Sequence, residues 1–216
     1  MIKAEKLCKT FGEIKAVNEV SLTITDNSIF GLAGTNGAGK SPLRRILAGV
    51  LRQDSGKILV DGQEVYENPA CKREIFFLPD SSYFFQNSSI CDMARYFSMY
   101  YPRYDVARVE KLGDKLGLEK KRKISTFSKG MKRQAAMLLG VCAGTKYLFC
   151  DETFDGLDPV MRQAAKSILA YEVSEREFTP IIASHNLREL EDICDHVGLL
   201  HRGGVLLSKD VEEMKL

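Results

Sequence analysis

A short stretch in the first quarter of the chain carries the residue types that hold a phosphate chain. Residues 34–41 (Gly-Thr-Asn-Gly-Ala-Gly-Lys-Ser) fit the phosphate-binding pattern G-x-x-x-x-G-K-[ST]. Gly37 and Gly39 lack a Cβ, so their N–H groups can approach an anion closely. Lys40 can reach β- and γ-phosphates, and the Ser41 hydroxyl can hold Mg²⁺. The residues predicted to bind nucleotide here are Gly34, Thr35, Asn36, Gly37, Ala38, Gly39, Lys40, Ser41 and Pro42.

Two elements have to position this loop, a strand before it and a helix after it. The start of a helix offers an anion unpaired N–H groups and the positive end of the helix dipole. Residues 28–33 predict the strand, and residues 42–51 predict the helix. The alternative is a glycine-rich surface loop without a ligand. Pro42 is unusual, because similar loops carry a second hydroxyl residue there and proline also removes a backbone N–H.

Two adjacent acidic residues predict the remaining part of a magnesium nucleotide site. Asp151 and Glu152 follow the apolar run 147–150 (Tyr-Leu-Phe-Cys), which predicts a buried strand. Ligand sites of open α/β sheets lie at the carboxyl ends of the strands. We expect Asp151 to hold Mg²⁺ through water and Glu152 to accept a proton from the water that attacks the γ-phosphate. The alternative is that both acids are ordinary turn residues.

The composition predicts one α/β domain in a soluble protein. The chain has 216 residues, of which 44% are hydrophobic, and a net charge of +2. A charge this close to zero gives no reason to expect a nucleic-acid partner. No apolar run is long enough to span a bilayer, and the first six residues lack signal-peptide character. Six cysteines without a C-x-x-C pair are typical of reduced thiols in the cytosol and make a zinc site improbable.

The order of predicted elements places a helical segment inside an α/β core. Alternating strands at 2–8 and 20–25 come first, and strands that alternate with helices come last. Between them, apolar residues from Ile90 to Tyr101 recur at helical spacing. The predicted division of one domain, 1–216, is a core of residues 1–79 and 135–216 and a helical subdomain of residues 80–134.

Local signals also predict the start of two late helices. Asp158 precedes Pro159, and proline is favoured as the first residue of a helix, so Asp158 is the predicted N-cap. Asn186 is followed three residues later by Glu189, which resembles a capping box. We therefore expect one helix to begin after each of these caps.

Several motifs of the second half resemble those of ATP-binding-cassette (ABC) ATPases. Residues 153–159 (Thr-Phe-Asp-Gly-Leu-Asp-Pro) resemble the D-loop of that family. His185, after Ser184, is similar to the family's switch histidine, which contacts the γ-phosphate. Residues 127–131 (Phe-Ser-Lys-Gly-Met) stand where the family has Leu-Ser-Gly-Gly-Gln.

The resemblance covers nearly the whole chain and implies a fold. Phe11 matches the position whose ring stacks on adenine, and Asp80 lies at the Q-loop position, where it would face Mg²⁺. The implied fold is a P-loop NTPase (RecA-like) core with an N-terminal antiparallel β subdomain and an inserted α-helical subdomain. The form of the 127–131 motif, together with the insert of residues 81–105, which is rich in aromatic residues and contains Pro-Arg-Tyr-Asp, is most similar to ATPases of ABC-2-type bacterial exporters.

The resemblance also implies a function, cofactors and partners. The family binds ATP and Mg²⁺, and Lys40, Glu152 and His185 would be the catalytic residues. Ser128 and Gly130 would contact the ATP held by a second ABC ATPase subunit, in a head-to-tail dimer that has two-fold symmetry if both subunits are this chain. The dimer would drive a separate integral membrane permease, so the chain would be cytoplasmic and peripheral at the inner face of the cell membrane. The implied metal ligands are Ser41, Asp80 and Asp151.

Individual assignments have simpler alternatives. His185 could be a core histidine at a helix start, Ser128 only an N-cap, and Phe11 a core residue near a turn. Besides Pro42, two further departures from the family affect the site. Asp80 replaces an amide by a shorter carboxylate, and Lys129 replaces a glycine and adds a positive charge near the expected γ-phosphate.

Two other functions stay open at this point. A soluble mechanical ABC ATPase without a transport role would usually carry a coiled coil, a second cassette or an extra domain, and none is evident in the sequence. A nucleotide-regulated binding module would bind ATP without hydrolysing it. A GTPase is disfavoured because the chain has no Asn-Lys-x-Asp motif.

Overall fold

The computed structural model describes residues 1–152 and 157–211 of the chain. The strands in these residues are β1 (Ile2–Phe11), β2 (Ile14–Ile24), β3 (Phe30–Gly34), β4 (Ser55–Val60), β5 (Gln63–Glu64), β6 (Ile75–Leu78), β7 (Tyr147–Asp151), β8 (Thr179–Ser184), β9 (His196–His201) and β10 (Gly204–Asp210). The helices are α1 (Lys40–Leu47), α2 (Pro69–Lys72), α3 (Ile90–Ser98), α4 (Val106–Lys115), α5 (Lys129–Val141), α6 (Pro159–Glu175) and α7 (Leu187–Ile193), with a 3-10 turn at Ile124–Thr126.

The described strands form two sheets. The larger has the order β10-β9-β3-β8-β7-β6, and its neighbouring strands are parallel except β10 and β9. The smaller is antiparallel with the order β2-β1-β4-β5. The register pairs Ala33 with Ser184 and Asp151 with Ala183. Since parallel strands end at the same edge, the phosphate loop, the acidic pair and the histidine lie along one edge of the sheet.

Strand β7, which lies next to the edge strand β6, is buried on both faces, as a parallel sheet covered by helices requires. Tyr147 and Phe149 pack in one hydrophobic cluster, together with Leu43 of α1. Leu148 and Cys150 pack in the other cluster, with residues of α5 and α6. This alternation places β7 between α1 on one side and α5 and α6 on the other. The predicted α/β fold, with its N-terminal antiparallel sheet and its helical region, is confirmed.

The helical region begins with α3 and continues into α5. Ile90, Met93 and Ala94 are buried in α3, as the spacing predicts. The helix ends at Ser98, so Tyr101 lies beyond it, where its hydroxyl donates to the carbonyl of Ile75 at 3.3 Å. Helix α5 crosses the predicted boundary between residues 134 and 135, so its first part lies in the predicted helical subdomain and its last part in the predicted core. The division into core and subdomain stays a prediction.

Two elements differ in length from their predictions. The strand predicted at 20–25 is part of β2, which begins at Ile14 because the chain turns back there and pairs with Phe11. The helix predicted at 42–51 runs from Lys40 to Leu47. It stops before Gly49, whose φ of +68° is left-handed and whose added Cβ would lie 2.8 Å from the Val65 carbonyl oxygen.

One of the two predicted helix caps is correct. Asp158 accepts from the N–H of Met161 at 2.8 Å and begins α6. The capping box predicted for α7 is wrong. Asn186 does occupy the N-cap position, so α7 begins where predicted, but its side chain makes no cap hydrogen bond and its own N–H donates to the hydroxyl of Ser184 at 3.0 Å. Glu189 forms an ion pair with Arg162 of α6 at 3.1 Å instead.

Candidate nucleotide-binding site

The phosphate loop joins β3 to α1 and packs against the N-terminal sheet. Gly39 has a φ of +99°, and an added Cβ would lie 2.2 Å from the carbonyl oxygen of Ala16 in β2, so only glycine fits there. At Gly37, with a φ of +82°, nothing lies within 4 Å of an added Cβ. The loop is also held from the β9–β10 turn, where Gly203 N–H donates to the Ala38 carbonyl at 3.0 Å. One side of the loop is thus tightly packed, and the other is open.

The lysine of the loop is buried and folded back onto the loop. The Lys40 ammonium donates to the carbonyl oxygens of Gly34 and Thr35, the latter at 3.1 Å. Thr35 and Asn36 themselves are exposed. Pro42 is half-buried in the first turn of α1. The loop therefore keeps a positive charge in place close to its exposed residues.

The acidic pair and the histidine come together at the ends of β7 and β8. Glu152 has a left-handed φ of +47°, and its N–H donates to the carbonyl of Ala183 at 3.1 Å. The Nδ1 atom of His185 lies 3.8 Å from Oε1 of Glu152, and both side chains are partly exposed. Strained backbone conformations of this kind cluster at functional sites. The structure thus brings two of the three predicted catalytic residues within reach of each other.

Arg44 is a site residue that sequence reasoning missed. Its side chain is fully buried, forms an ion pair with Asp151 and donates to the Ser41 hydroxyl at 3.1 Å. Burial lowers the pKa of the Arg44 guanidinium, and the carboxylate of Asp151 raises it in part. One signal was available, since the charged residue falls next to Leu43 in an apolar helix face. Its partner could not be read from the sequence.

The segment that resembles the family signature is exposed at the start of α5. Ser128 is the N-cap of this helix and accepts from the N–H of Met131 at 3.2 Å. Lys129 is exposed as well, and nothing lies within 4 Å of a Cβ added to Gly130. Ser128 therefore caps α5, its contact with the ATP of a second subunit stays a prediction, and space remains beside Gly130.

Phe11 lies at the end of β1 with 48% of its surface exposed. It pairs with Ile14 across the β1–β2 turn, and the Lys9 ammonium lies 5.6 Å from the ring centroid. The core alternative for Phe11 is wrong, because a core residue would be covered. The ring is accessible to a ligand.

Asp80 lies beside α5 rather than in the acidic pair. Its carboxylate forms an ion pair with Arg133 at 3.1 Å, and about half of the side chain is exposed. The structure gives no contact between Asp80 and Asp151. Most of the predicted D-loop, residues 153–156, lies outside the described residues. Beyond it, Leu157 is buried and Asp158 caps α6.

Comparisons with known proteins identify the family. The family model described as ABC transporter matches residues 17–155, which is more than half of the chain. The chain belongs to the ABC transporter family. It is 31% identical over 215 residues to the ABC transporter ATP-binding protein YtrB of Bacillus subtilis (strain 168), covering 100% of this chain and 74% of YtrB. Membership implies that the chain binds ATP, and in this family the ATP-binding subunit energises a membrane permease.

Two further comparisons refine this assignment of the ABC subunit. The chain is 30% identical over 214 residues to the lantibiotic transport ATP-binding protein SrtF of Streptococcus pyogenes, and the match covers 98% of this chain and 92% of SrtF. A solved structure described as the ATP-binding subunit of an ABC transporter superposes with a TM-score of 0.90 at 21% identity, over 100% of this chain and 92% of that chain. The first agrees with the predicted similarity to exporter ATPases, and the second establishes the fold.

The donor groups of the ABC subunit suit a magnesium ion. Ser41 and Asp151 offer hydroxyl and carboxylate oxygens, the hard ligands that Mg²⁺ prefers. In the described residues no group of three or more His, Cys, Asp and Glu side chains could hold a metal. Mg²⁺ usually takes one or two carboxylates and completes its shell with water and phosphate oxygens. Nor does any described helix combine the length and apolar character that crossing a membrane requires.

Proposed function

We propose that this ABC subunit hydrolyses Mg-ATP and thereby drives a separate membrane permease. The observation that carries the proposal is the 3.8 Å approach of His185 Nδ1 to Glu152 Oε1, at the sheet edge where the phosphate loop begins. Family membership supplies ATP binding. Hydrolysis also needs groups that activate the attacking water, and a carboxylate beside a histidine at the same edge supplies them.

Lys40, Glu152 and His185 have different roles in ATP hydrolysis. The ammonium of Lys40 exchanges the carbonyl oxygens of Gly34 and Thr35 for phosphate oxygens and neutralises part of their charge. The carboxylate of Glu152 accepts a proton from water while the water oxygen bonds to the γ-phosphorus and the bond to the β–γ bridging oxygen breaks. The imidazole of His185 contacts the γ-phosphate and keeps Glu152 in position. Inorganic phosphate and ADP are the products.

The residues that would hold the metal are Ser41, Asp80 and Asp151, the last of them through water. When bound, Mg²⁺ neutralises charge that develops on the β- and γ-phosphate oxygens. Asp80 has to leave its ion pair with Arg133 to take part. Ser41 and Asp151 are already joined through Arg44.

A second subunit completes the site. Ser128 and Gly130 lie on an exposed surface at the N-terminus of α5, where N–H groups and the helix dipole favour an anion. In a two-fold dimer of this chain, these residues of each subunit contact the γ-phosphate of the ATP held by the other. The dimer closes when ATP is bound and opens after hydrolysis has removed the shared contact.

An apolar surface beside the helical region suits the permease. A cavity of about 360 Å³ lies between the core and this region and is lined mainly by apolar and aromatic side chains, among them Phe76, Phe84 and Phe97. Tyr83 and Tyr100 lie near it and are 76% and 58% exposed. Exposed aromatic side chains round an apolar cavity mark interaction sites. The chain would therefore lie at the cytoplasmic face of the membrane, bound to the permease.

Phosphate release tests the hydrolysis directly. Wild type in the presence of ATP and Mg²⁺ should release phosphate, and Glu152→Gln should release it at least about a hundredfold more slowly, since a general base contributes about 10²–10⁴ in rate. Nucleotide affinity should be similar for both proteins. Equal and negligible release by both would instead favour the nucleotide-regulated binding module.

The partner distinguishes the transporter from a mechanical ATPase. Co-purification with a multi-span membrane protein supports the transporter, and an active particle without any membrane protein supports the alternative.

A further inference from the structure

A buried arginine joins the two residues that we assign to the metal. The Arg44 Nη2 atom donates to Ser41 Oγ at 3.1 Å and forms the ion pair with Oδ1 of Asp151. Its Nη1 atom donates to the carbonyl of Cys150, and its Nε atom to that of Lys40, both at 3.3 Å. The guanidinium therefore lies between the hydroxyl and the carboxylate that would hold Mg²⁺, and it is fixed by carbonyls on both sides.

The charge of this guanidinium is close to the metal ligands and shielded from water. Arg44 is fully buried, and an arginine side chain keeps its proton in proteins. Charges a few ångströms apart interact strongly where water does not screen them. In addition, Arg44 occupies one acceptor position of the Ser41 hydroxyl and one oxygen of Asp151. A divalent cation would meet ligands that already serve another cation.

We propose that Arg44 competes with the divalent cation for Ser41 and Asp151, so that Mg²⁺ adds little to the nucleotide affinity of this subunit. The inference rests on the proposed Mg-ATP site, and it adds a resident cation to that site. Without Mg²⁺, Arg44 neutralises Asp151 and keeps the carboxylate next to the loop. With Mg²⁺, the two cations share one carboxylate and repel each other.

The test compares nucleotide affinity with and without a divalent cation. The Kd of ADP is measured by calorimetric titration in excess Mg²⁺ and again in EDTA, for wild type and for Arg44→Leu. For wild type, the Kd of ADP in excess Mg²⁺ should nearly equal the Kd in EDTA. Arg44→Leu should gain about tenfold or more from Mg²⁺, because the repulsion by one buried unit charge is worth at least that factor. Mn²⁺ binding to the ADP complex, followed by electron paramagnetic resonance, should tighten in the same variant.

Arg45→Leu is the matched control. Arg45 is the next residue of α1 and is exposed, so the variant loses the same charge from the same helix without touching Ser41 or Asp151. Its response to Mg²⁺ should equal that of wild type. An equal response of Arg44→Leu, or weaker Mn²⁺ binding by it, would show that Arg44 only positions Asp151 and would overturn the proposal.

The wild-type measurement tests the proposal even if Arg44→Leu does not fold. A strong gain in ADP affinity from Mg²⁺ in wild type contradicts competition by Arg44. Absence of nucleotide binding by wild type in both conditions overturns the proposed function together with this inference. Binding that responds fully to Mg²⁺ overturns the inference alone.

Discussion

The Nδ1 atom of His185 lies 3.8 Å from Oε1 of Glu152, across the ends of two neighbouring parallel strands. His185 directly follows the last residue of β8, and the Ala183 carbonyl of that strand accepts from the N–H of Glu152 at 3.1 Å. This bond helps to hold Glu152 in a left-handed conformation, which costs a non-glycine residue about 1–3 kcal/mol. One strand therefore positions both groups of the pair.

Loss of the histidine should lower the rate of hydrolysis much more than it lowers the affinity for ATP. For His185→Ala we expect a phosphate release rate lower by about 10²-fold, because a group that stabilises the transition state is removed. ATP affinity should change much less, since the phosphate loop still holds the nucleotide. Steady-state kinetics separate the two effects. His201→Ala, which changes an exposed histidine on β9, should behave as wild type, and a similar loss in that control would contradict the role of His185.

The exposed ring of Phe11 should contribute to nucleotide affinity through the base. We expect Phe11→Ala to weaken ATP binding by about 1–3 kcal/mol, the value typical of one aromatic side chain stacked on a base. Binding of inorganic tripolyphosphate, which has no base, should be unchanged. Ile14→Ala is the control, because Ile14 pairs with Phe11 across the turn and is 71% exposed. Equal losses for both variants would argue against stacking.

Pro42 should lower the nucleotide affinity. Its position in the first turn leaves α1 intact, since the N–H of Leu43 donates to the Gly39 carbonyl at 3.1 Å. For Pro42→Thr we expect tighter ATP binding by about 1.5–3 kcal/mol, because a hydrogen bond to a charged phosphate becomes possible. Pro42→Ala restores only the N–H and should give a smaller gain. Identical dissociation constants for all three proteins would refute this effect.

A buried glutamate should stabilise the contact between α4 and α6. Glu172 is fully buried and forms ion pairs with Arg108 of α4 and with Arg176, the latter at 2.8 Å. Glu172→Gln leaves two arginines without a charged partner, so the free energy of unfolding should fall by about 3–5 kcal/mol. Urea denaturation measures the change. Glu175→Gln, at an exposed position of the same helix, should lie within about 0.5 kcal/mol of wild type.

The site residues that follow the carboxyl ends of strands could be predicted from the sequence. The phosphate loop, the acidic pair and His185 each follow a short apolar run, and the carboxyl ends of parallel strands meet at one edge. The roles of these residues stay predictions, but their proximity followed from order along the chain. Phe11 was assigned to the base from the family resemblance alone, and its stacking stays a prediction, although its ring is exposed.

Contacts between residues far apart in the sequence could not be predicted from the order of strands and motifs. Arg44 and Arg45 are adjacent, and the sequence does not show that Arg44 is the one that pairs with Asp151 of β7. Likewise, the pairing of Asp80 with Arg133 depends on how α5 packs beside β6. The signal at Asn186 predicted the start of α7 correctly but not its hydrogen bonds, because the Ser184 hydroxyl accepts the N–H that a capping box would use. Tertiary partners decided the first two cases, and a local hydrogen bond decided the third.

The central claim is that ATP is held between two subunits and hydrolysed with the help of Glu152. The most direct measurement is the mass of Glu152→Gln in solution, by light scattering, with ATP and with ADP. We predict the mass of two chains with ATP and of one chain with ADP. Adding Gly130→Arg to this variant should keep it a single chain, since the new side chain fills the open surface of α5. One chain with ATP in Glu152→Gln would contradict the claim.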